Sequence, residues 1–158
     1  MRSNNLLSTY AKSFNWAGFF LPKNIYIKCS SLYDFCRTID DIADVNEDLN
    51  IKKKKLYKFK NEFKTKNYNN SIIKNMWKLI NDVNISTKII DDLFDGIESD
   101  LQEKVNINSK KKILIYSYRV AGTVGLMMGK ILEVKNINAL KSAIDLGIAM
   151  QLTNISRD

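Results

Sequence analysis

Asp40 and Asp44 are the residues of this chain best placed to do chemistry. They lie within Tyr33-Asp34-Phe35-Cys36-Arg37-Thr38-Ile39-Asp40-Asp41-Ile42-Ala43-Asp44. On a helix, a spacing of four puts both carboxylates on one face. Arg37 lies one turn before Asp40, and Tyr33 one turn before Arg37. The face therefore reads tyrosine, arginine, carboxylate, carboxylate. Two carboxylates stacked in this way repel each other unless a cation sits between them. A hard cation such as Mg²⁺, which takes oxygen ligands, waters and phosphate oxygens, suits the pair. Arg37 would meet the phosphate directly. The same spacing also describes a solvated acidic patch paired to Arg37.

A second polar set lies at the other end. Residues 140–158 are apolar on most sides: Ala143, Ile144, Leu146, Ile148, Ala149, Met150, Leu152 and Ile155. Through them runs a stripe of Gln151, Asn154 and Asp158, with Arg157 beside it. Such a stripe either lines a wet cavity, holds a metal, or forms a hydrogen-bond network between helices. Between the two sets, Tyr116, Tyr118 and Arg119 precede the small-residue run Val120-Ala121-Gly122-Thr123-Val124-Gly125. Small residues let backbones approach or leave room for a long apolar ligand, and packing is the simpler reading. Tyr10-Ala11-Lys12-Ser13-Phe14 sets a cation and a hydroxyl beside aromatics.

Composition narrows the chemistry. The chain has no histidine, which removes Ser-His-Asp and Cys-His triads and every His-ligated metal site. Cys29 and Cys36 stand seven apart, roughly 10 Å along a helix, too far for a disulfide. They read as reduced thiols of a cytoplasmic protein. The net charge of +8 suits an anionic partner. Over-use of Lys, Asn and Ile throughout the chain accounts for much of that charge without any partner.

The elements that position these residues read as helix after helix. One proline and six glycines in 158 residues oppose a loop-rich or β-rich fold. Expected helices run from Ser3 to Phe20, then from Pro22 to about Val45. Others run from Ile51 to Lys66, Ser71 to Val83, and Ser86 to Glu103. Ser109 caps another that reaches Leu132, and Asn136 or Asn138 opens the last. That last helix shows no stop signal, so a downstream segment is expected. Leu56, Phe59 and Phe63 share a stripe with Lys52, Lys53, Lys55, Lys60 and Lys64 around it. That is either an ordinary amphipathic helix on a core or a membrane-surface helix. The most apolar stretch, Val120 to Leu132, falls well short of the ~20 residues that span a bilayer. There is no repeat, linker or low-complexity insert, and a single domain over 1–158 is expected.

Taken together, these segments resemble the squalene/phytoene synthase family. The likeness runs through Tyr10-Ala11-Lys12-Ser13-Phe14, Leu21-Pro22 and Cys36-Arg37-Thr38-Ile39-Asp40-Asp41-Ile42-Ala43-Asp44. It continues at Asp95-Gly96 to Asp100-Leu101, at Tyr116 to Gly125, and at Gln151-Leu152-Thr153-Asn154-Ile155-Ser156-Arg157-Asp158. Order and spacing fit over essentially the whole chain.

The resemblance implies an all-α isoprenoid synthase fold around a central cavity, here its N-terminal part. It implies Asp40 and Asp44 as a first metal motif, with Asn154 and Asp158 opening a second. The metal is Mg²⁺, with Mn²⁺ as the alternative. Ser13, Tyr33, Arg37, Gln151 and Arg157 would hold diphosphate, flanked by Tyr10 and Lys12. Tyr116 would lie near the reacting carbons, so Asp40, Asp44, Tyr116 and Asp158 form the implied catalytic set. Some relatives carry His where this chain has Tyr10. The implied reaction is head-to-head (1′–1) condensation of two allylic prenyl diphosphates. Overall likeness favours phytoene from geranylgeranyl diphosphate in carotenoid biosynthesis. Squalene, dehydrosqualene or hydroxysqualene from farnesyl diphosphate is the alternative.

Relatives continue past Asp158 with a further acidic residue one turn on, so this length alone is expected to be inactive. The implied partners are prenyl diphosphates rather than nucleic acid. A cytoplasmic enzyme is expected, with peripheral contact to the inner face of a membrane. The rival readings are a non-catalytic helical assembly factor and a helical module binding a membrane or nucleic acid through Lys52 to Lys66. The assembly factors usually lose the acidic motifs that Asp40, Asp44 and Asp158 represent.

Overall fold

The computed structural model describes residues 20–102 and 109–157. The expected first helix, with Tyr10, Lys12 and Ser13, lies outside the described residues, as does Asp158. Among the described residues the regular structure is entirely helical. The all-α reading holds.

Local chemistry sets most boundaries. Helix α1 (Lys23–Asp44) starts directly after Pro22, which needs no N–H there. Helix α2 (Leu49–Lys64) starts earlier than its apolar stripe suggests, because Asp48 caps it by accepting from the Asn50 N–H at 2.8 Å. Helix α3 (Ser71–Val83) matches its expected span and is capped by Asn70. Asn84 ends it in the left-handed region at φ 52°, which asparagine tolerates better than most residues. Helix α4 (Thr87–Asp100) is capped by Ser86. It ends at Asp100, with the buried Leu101 as its C-cap.

Ser109 caps α5 (Lys110–Ser117) as expected. The path from there to Leu132 is not one regular helix. A π turn over Tyr118–Gly122 separates α5 from α6 (Thr123–Ile131). Asn136 accepts from the Asn138 N–H at 2.8 Å at the start of α7 (Ile137–Arg157).

The core lies where α1, α2, α3, α4 and α6 meet. Phe35 of α1 packs against Phe59 and Phe63 of α2 and Phe94 of α4, with ring centroids 5.3–6.0 Å apart. Trp77 of α3 stacks on Phe63 and donates its indole N–H to the Phe63 carbonyl at 2.8 Å. Leu56, Phe59 and Phe63 are all buried. The stripe therefore packs as the apolar side of an ordinary amphipathic helix on a core, while Lys53, Lys54, Lys55, Lys58 and Lys64, with Ile51 and Tyr57, are exposed. Cys29 and Cys36 are free thiols. Helix α7 packs on α5, the π turn and α6. Among the described residues no helix is long and apolar enough to cross a membrane.

Candidate functional site

The helical register of α1 places Tyr33, Arg37, Asp40 and Asp44 along one side. Asp40 is half-buried, whereas Asp41 and Asp44 are exposed. Burial is the main cause that pushes the Asp40 carboxyl up to about 6 from its ordinary 3.8, and Asp44 adds to the rise. Arg37 offsets part of it, while Asp41 and Asp100 add smaller repulsions. The Arg37 guanidinium pairs with Asp41 at 2.7 Å, one turn on. Arg37 is half-buried and Asp41 exposed, so the pair sits at the rim of this face, where solvent weakens it.

Two further elements reach this face. Asp100 ends α4 and Tyr116 lies on α5. The Tyr116 hydroxyl donates to Asp100 Oδ2 at 3.0 Å. Burial raises the Asp100 carboxyl, the Tyr116 hydrogen bond lowers it, and the charge of Asp44 raises it again. Burial first, then Asp100, and more weakly Asp40 and Asp44, hold the Tyr116 phenol well above the usual tyrosine range. Asp40, Asp44, Asp100 and Tyr116 thus share one electrostatic neighbourhood. Sequence reading placed Asp100 in a matching segment but gave it no role. Its spacing of four from Gly96 was the available signal.

Helix α7 stands differently. Gln151 is half-buried and Asn154 and Arg157 are exposed. Gln151 and Asn154 make no side-chain hydrogen bond or ion pair among the described residues. The stripe is therefore not an interhelical network within these residues.

Among the described residues no three carboxylate or thiol groups form a ready-made metal cage. The pair Asp40 and Asp44 still fits a hard cation. A half-buried carboxyl, raised by burial first and then by a like charge one turn away, is relieved by a nearby cation. Such an ion completes its shell with water and phosphate oxygens. A separate cleft lined by Asn24, Lys28, Ser31, Asn75, Lys78 and Asp82 lies between α1 and α3 and holds none of these groups.

The chain is 30% identical to a phytoene synthase of Cereibacter sphaeroides, over 97% of this chain and 46% of that protein. It is 29% identical to a 4,4′-diapophytoene synthase of Staphylococcus haemolyticus, over 98% of this chain and 56% of that protein. It thus spans about half the length of these relatives. The crystal structure of squalene synthase HpnC from Alicyclobacillus acidocaldarius superposes with a TM-score of 0.78. That match covers 94% of this chain and 57% of the other at 18% identity, and shows the shared isoprenoid synthase fold. Residues 7–158 match squalene/phytoene synthase as a family, and the chain belongs to it.

Proposed function

We propose that the full-length protein joins two allylic prenyl diphosphates head to head (1′–1), with geranylgeranyl diphosphate giving phytoene. The observation that carries this is the Asp40–Asp44 pair in the same electrostatic neighbourhood as the Tyr116–Asp100 hydrogen bond. Asp40 and Asp44 would hold Mg²⁺, or Mn²⁺ in its place, and Asn154 and Asp158 would contribute a second set. When bound, the cation neutralises the leaving diphosphate. Arg37 and Tyr33, on the same face, orient the diphosphate, with Gln151, Arg157 and the N-terminal Tyr10, Lys12 and Ser13 as further contacts. Tyr116 keeps its proton at any physiological pH, so its phenol acts as a fixed dipole and an aromatic face rather than a base.

The relatives named phytoene synthase support the phytoene reading. The relative named 4,4′-diapophytoene synthase supports a second reading, in which farnesyl diphosphate is taken and squalene, dehydrosqualene or hydroxysqualene is formed. We place the enzyme in the cytoplasm. Contact with a membrane surface would run through the outer lysines of α2, since its apolar stripe is buried.

The test is product analysis. Full-length protein is given Mg²⁺ with geranylgeranyl or farnesyl diphosphate, and the extracted hydrocarbon is identified by mass spectrometry. Phytoene from the longer substrate, lost on chelation, is the expected result. No carbon–carbon coupled product from either substrate would sink the proposal.

A further inference from the structure

The π turn after Tyr116 is held from both sides at backbone distance. On one side stands Gly96 of α4. A Cβ there would lie 2.8 Å from Arg119 Cβ and 2.8 Å from Val120 Cγ1. On the other side stands Gly147 of α7, where a Cβ would fall onto the Ala121 carbonyl oxygen and within 3.1 Å of Gly122 Cα. Only glycine permits either approach. Polar ties follow the same path. The Tyr118 hydroxyl donates to Asp92 Oδ2 at 3.2 Å, and Arg119 reaches Asp95 at 3.8 Å. Thr123, wholly buried, donates its hydroxyl to the Arg119 carbonyl at 2.7 Å.

These contacts have an order. Asp92, Gly96 and Asp100 are spaced by four on one stripe of α4. The first takes Tyr118, the second takes the backbone of the turn, and the third takes Tyr116. Residues two apart on a regular α-helix do not share a face. Tyr116, on regular α5, and Tyr118, the first residue of the widened turn, nevertheless both reach this stripe. π turns are poorly satisfied and persist where their surroundings over-determine them, often at functional sites.

We infer that the π turn Tyr118–Gly122, clamped between Gly96 and Gly147, is what positions Tyr116 against Asp100, so that these two glycines are positioning residues of the site. A Cβ at Gly96 pushes the turn off α4 and lengthens the Tyr116–Asp100 contact. Gly147 lies one turn before Gln151, so the same clamp sets where the polar stripe of α7 stands relative to Tyr116. The kinetic consequence rests on the prenyl-transfer reading; the structural one does not.

The test uses full-length protein labelled with fluorotyrosine, the resonance of residue 116 being assigned by its loss in Tyr116→Phe. Gly96→Ala is expected to shift that resonance and to lower kcat about 30-fold with KM held within about threefold. Adding Val120→Ala, which removes one of the clashing methyls, should recover part of both. Gly129→Ala is the control: its Cβ meets the Leu140 side-chain tip and no backbone outside its own helix, and it should leave both readouts at the parent value. Tyr118→Phe keeps the ring and removes only the tie to Asp92. It should shift the same resonance and lower kcat about fivefold, which keeps the test decisive if Gly96→Ala does not fold. An unmoved resonance with parent kcat in Tyr118→Phe overturns the clamp. So does a loss carried wholly by KM, or one shared by Gly129→Ala. If the parent protein turns over neither prenyl diphosphate, the functional reading fails while the resonance still decides the clamp.

Discussion

Tyr116 donates its phenolic hydrogen to Asp100 Oδ2 at 3.0 Å, joining α5 to the last residue of α4. The bond has two effects of opposite sign. It lowers the Asp100 carboxyl, which burial and Asp44 push up, and it helps keep the phenol protonated. Removing the hydroxyl leaves Asp100 half-buried without this donor. Tyr116→Phe in the full-length protein should cost about 1–2 kcal/mol of stability at neutral pH, the usual penalty for losing a partner of a charged acceptor. It should also reduce turnover at least about tenfold if the phenol faces the reacting carbons. Urea denaturation and steady-state kinetics read the two effects separately. Parent kinetics in this variant would remove Tyr116 from the site.

Asp40 gives a pH-dependent prediction. Its carboxyl titrates at about 6 in the folded protein and near 3.8 when free. Between those values the folded state binds more protons than the unfolded one. Stability from this group is therefore fully present below about pH 4 and lost as pH rises through 6. At pH 7.5 the ionised Asp40 costs on the order of 1–3 kcal/mol, discounted for its partial exposure. Asp40→Asn should accordingly stabilise the metal-free protein at pH 7.5, and the gain should vanish at pH 4. The same variant should abolish turnover with the helical circular dichroism intact. Denaturation midpoints across pH, beside product analysis, check both. A destabilised Asp40→Asn at pH 7.5 would contradict the electrostatic account.

A cation that binds this pair should reverse that penalty. Mg²⁺ together with inorganic diphosphate should raise the melting temperature of the parent protein by linkage. It should do so much less in Asp40→Asn or Asp44→Asn. Differential scanning fluorimetry with Mg²⁺ alone, diphosphate alone and both together is the measurement. An equal shift in parent and variants would place the ion elsewhere.

The helices were legible in the sequence because their signals are local. Ser86, Ser109 and Asn136 cap where their types and positions say they should. The stripe of α2 was legible as a stripe, but not what it faces. Phe35, Phe94 and Trp77 come from three other helices, and only their convergence makes Phe59 and Phe63 core. The face of α1 was legible for the same local reason, since four-residue spacing needs no tertiary information. Asp100 was not, because its partner Tyr116 is sixteen residues on and belongs to another helix. The π turn was hidden as well. Its glycines look like ordinary close packing, and the widening depends on where Gly96 and Gly147 stand.

The buried stripe of α2 has its own consequence. Phe59→Ala should cost about 3–5 kcal/mol, as for a large aromatic removed from a core, and should not change lipid binding specifically. Lipid attachment, if measured by flotation on anionic vesicles, should instead respond to the outward Lys53, Lys54 and Lys58, beside the exposed Tyr57. Replacing these three lysines by Gln should leave stability within about 0.5 kcal/mol while removing any salt-sensitive binding. Flotation that persists in the triple variant would send the contact to another surface.

The last prediction concerns residues 1–158 expressed by themselves. Helix α7 buries only Gly147 among its described residues, while Leu146 is 63% exposed, Met150 52% and Ile155 37%. Leu132, just after α6, and Ile137, the first residue of α7, are 48% and 63% exposed. Large apolar side chains left this exposed are surface of the kind that seeks a partner in water. The polar residues proposed to meet substrate on this helix are no better held, since Asn154 is exposed and makes no side-chain bond among the described residues. Groups that act on a diphosphate must be fixed to within about 0.5 Å, and a helix packed on one side only does not do that for its outer face. This length should therefore bind hydrophobic dye, associate as concentration rises, and form no prenyl product from geranylgeranyl or farnesyl diphosphate with Mg²⁺. Light scattering and product extraction on the same sample decide it. Steady turnover by a clean monomer of these 158 residues would mean that the exposed face of α7 needs no cover, and that Asn154 is not part of the working site.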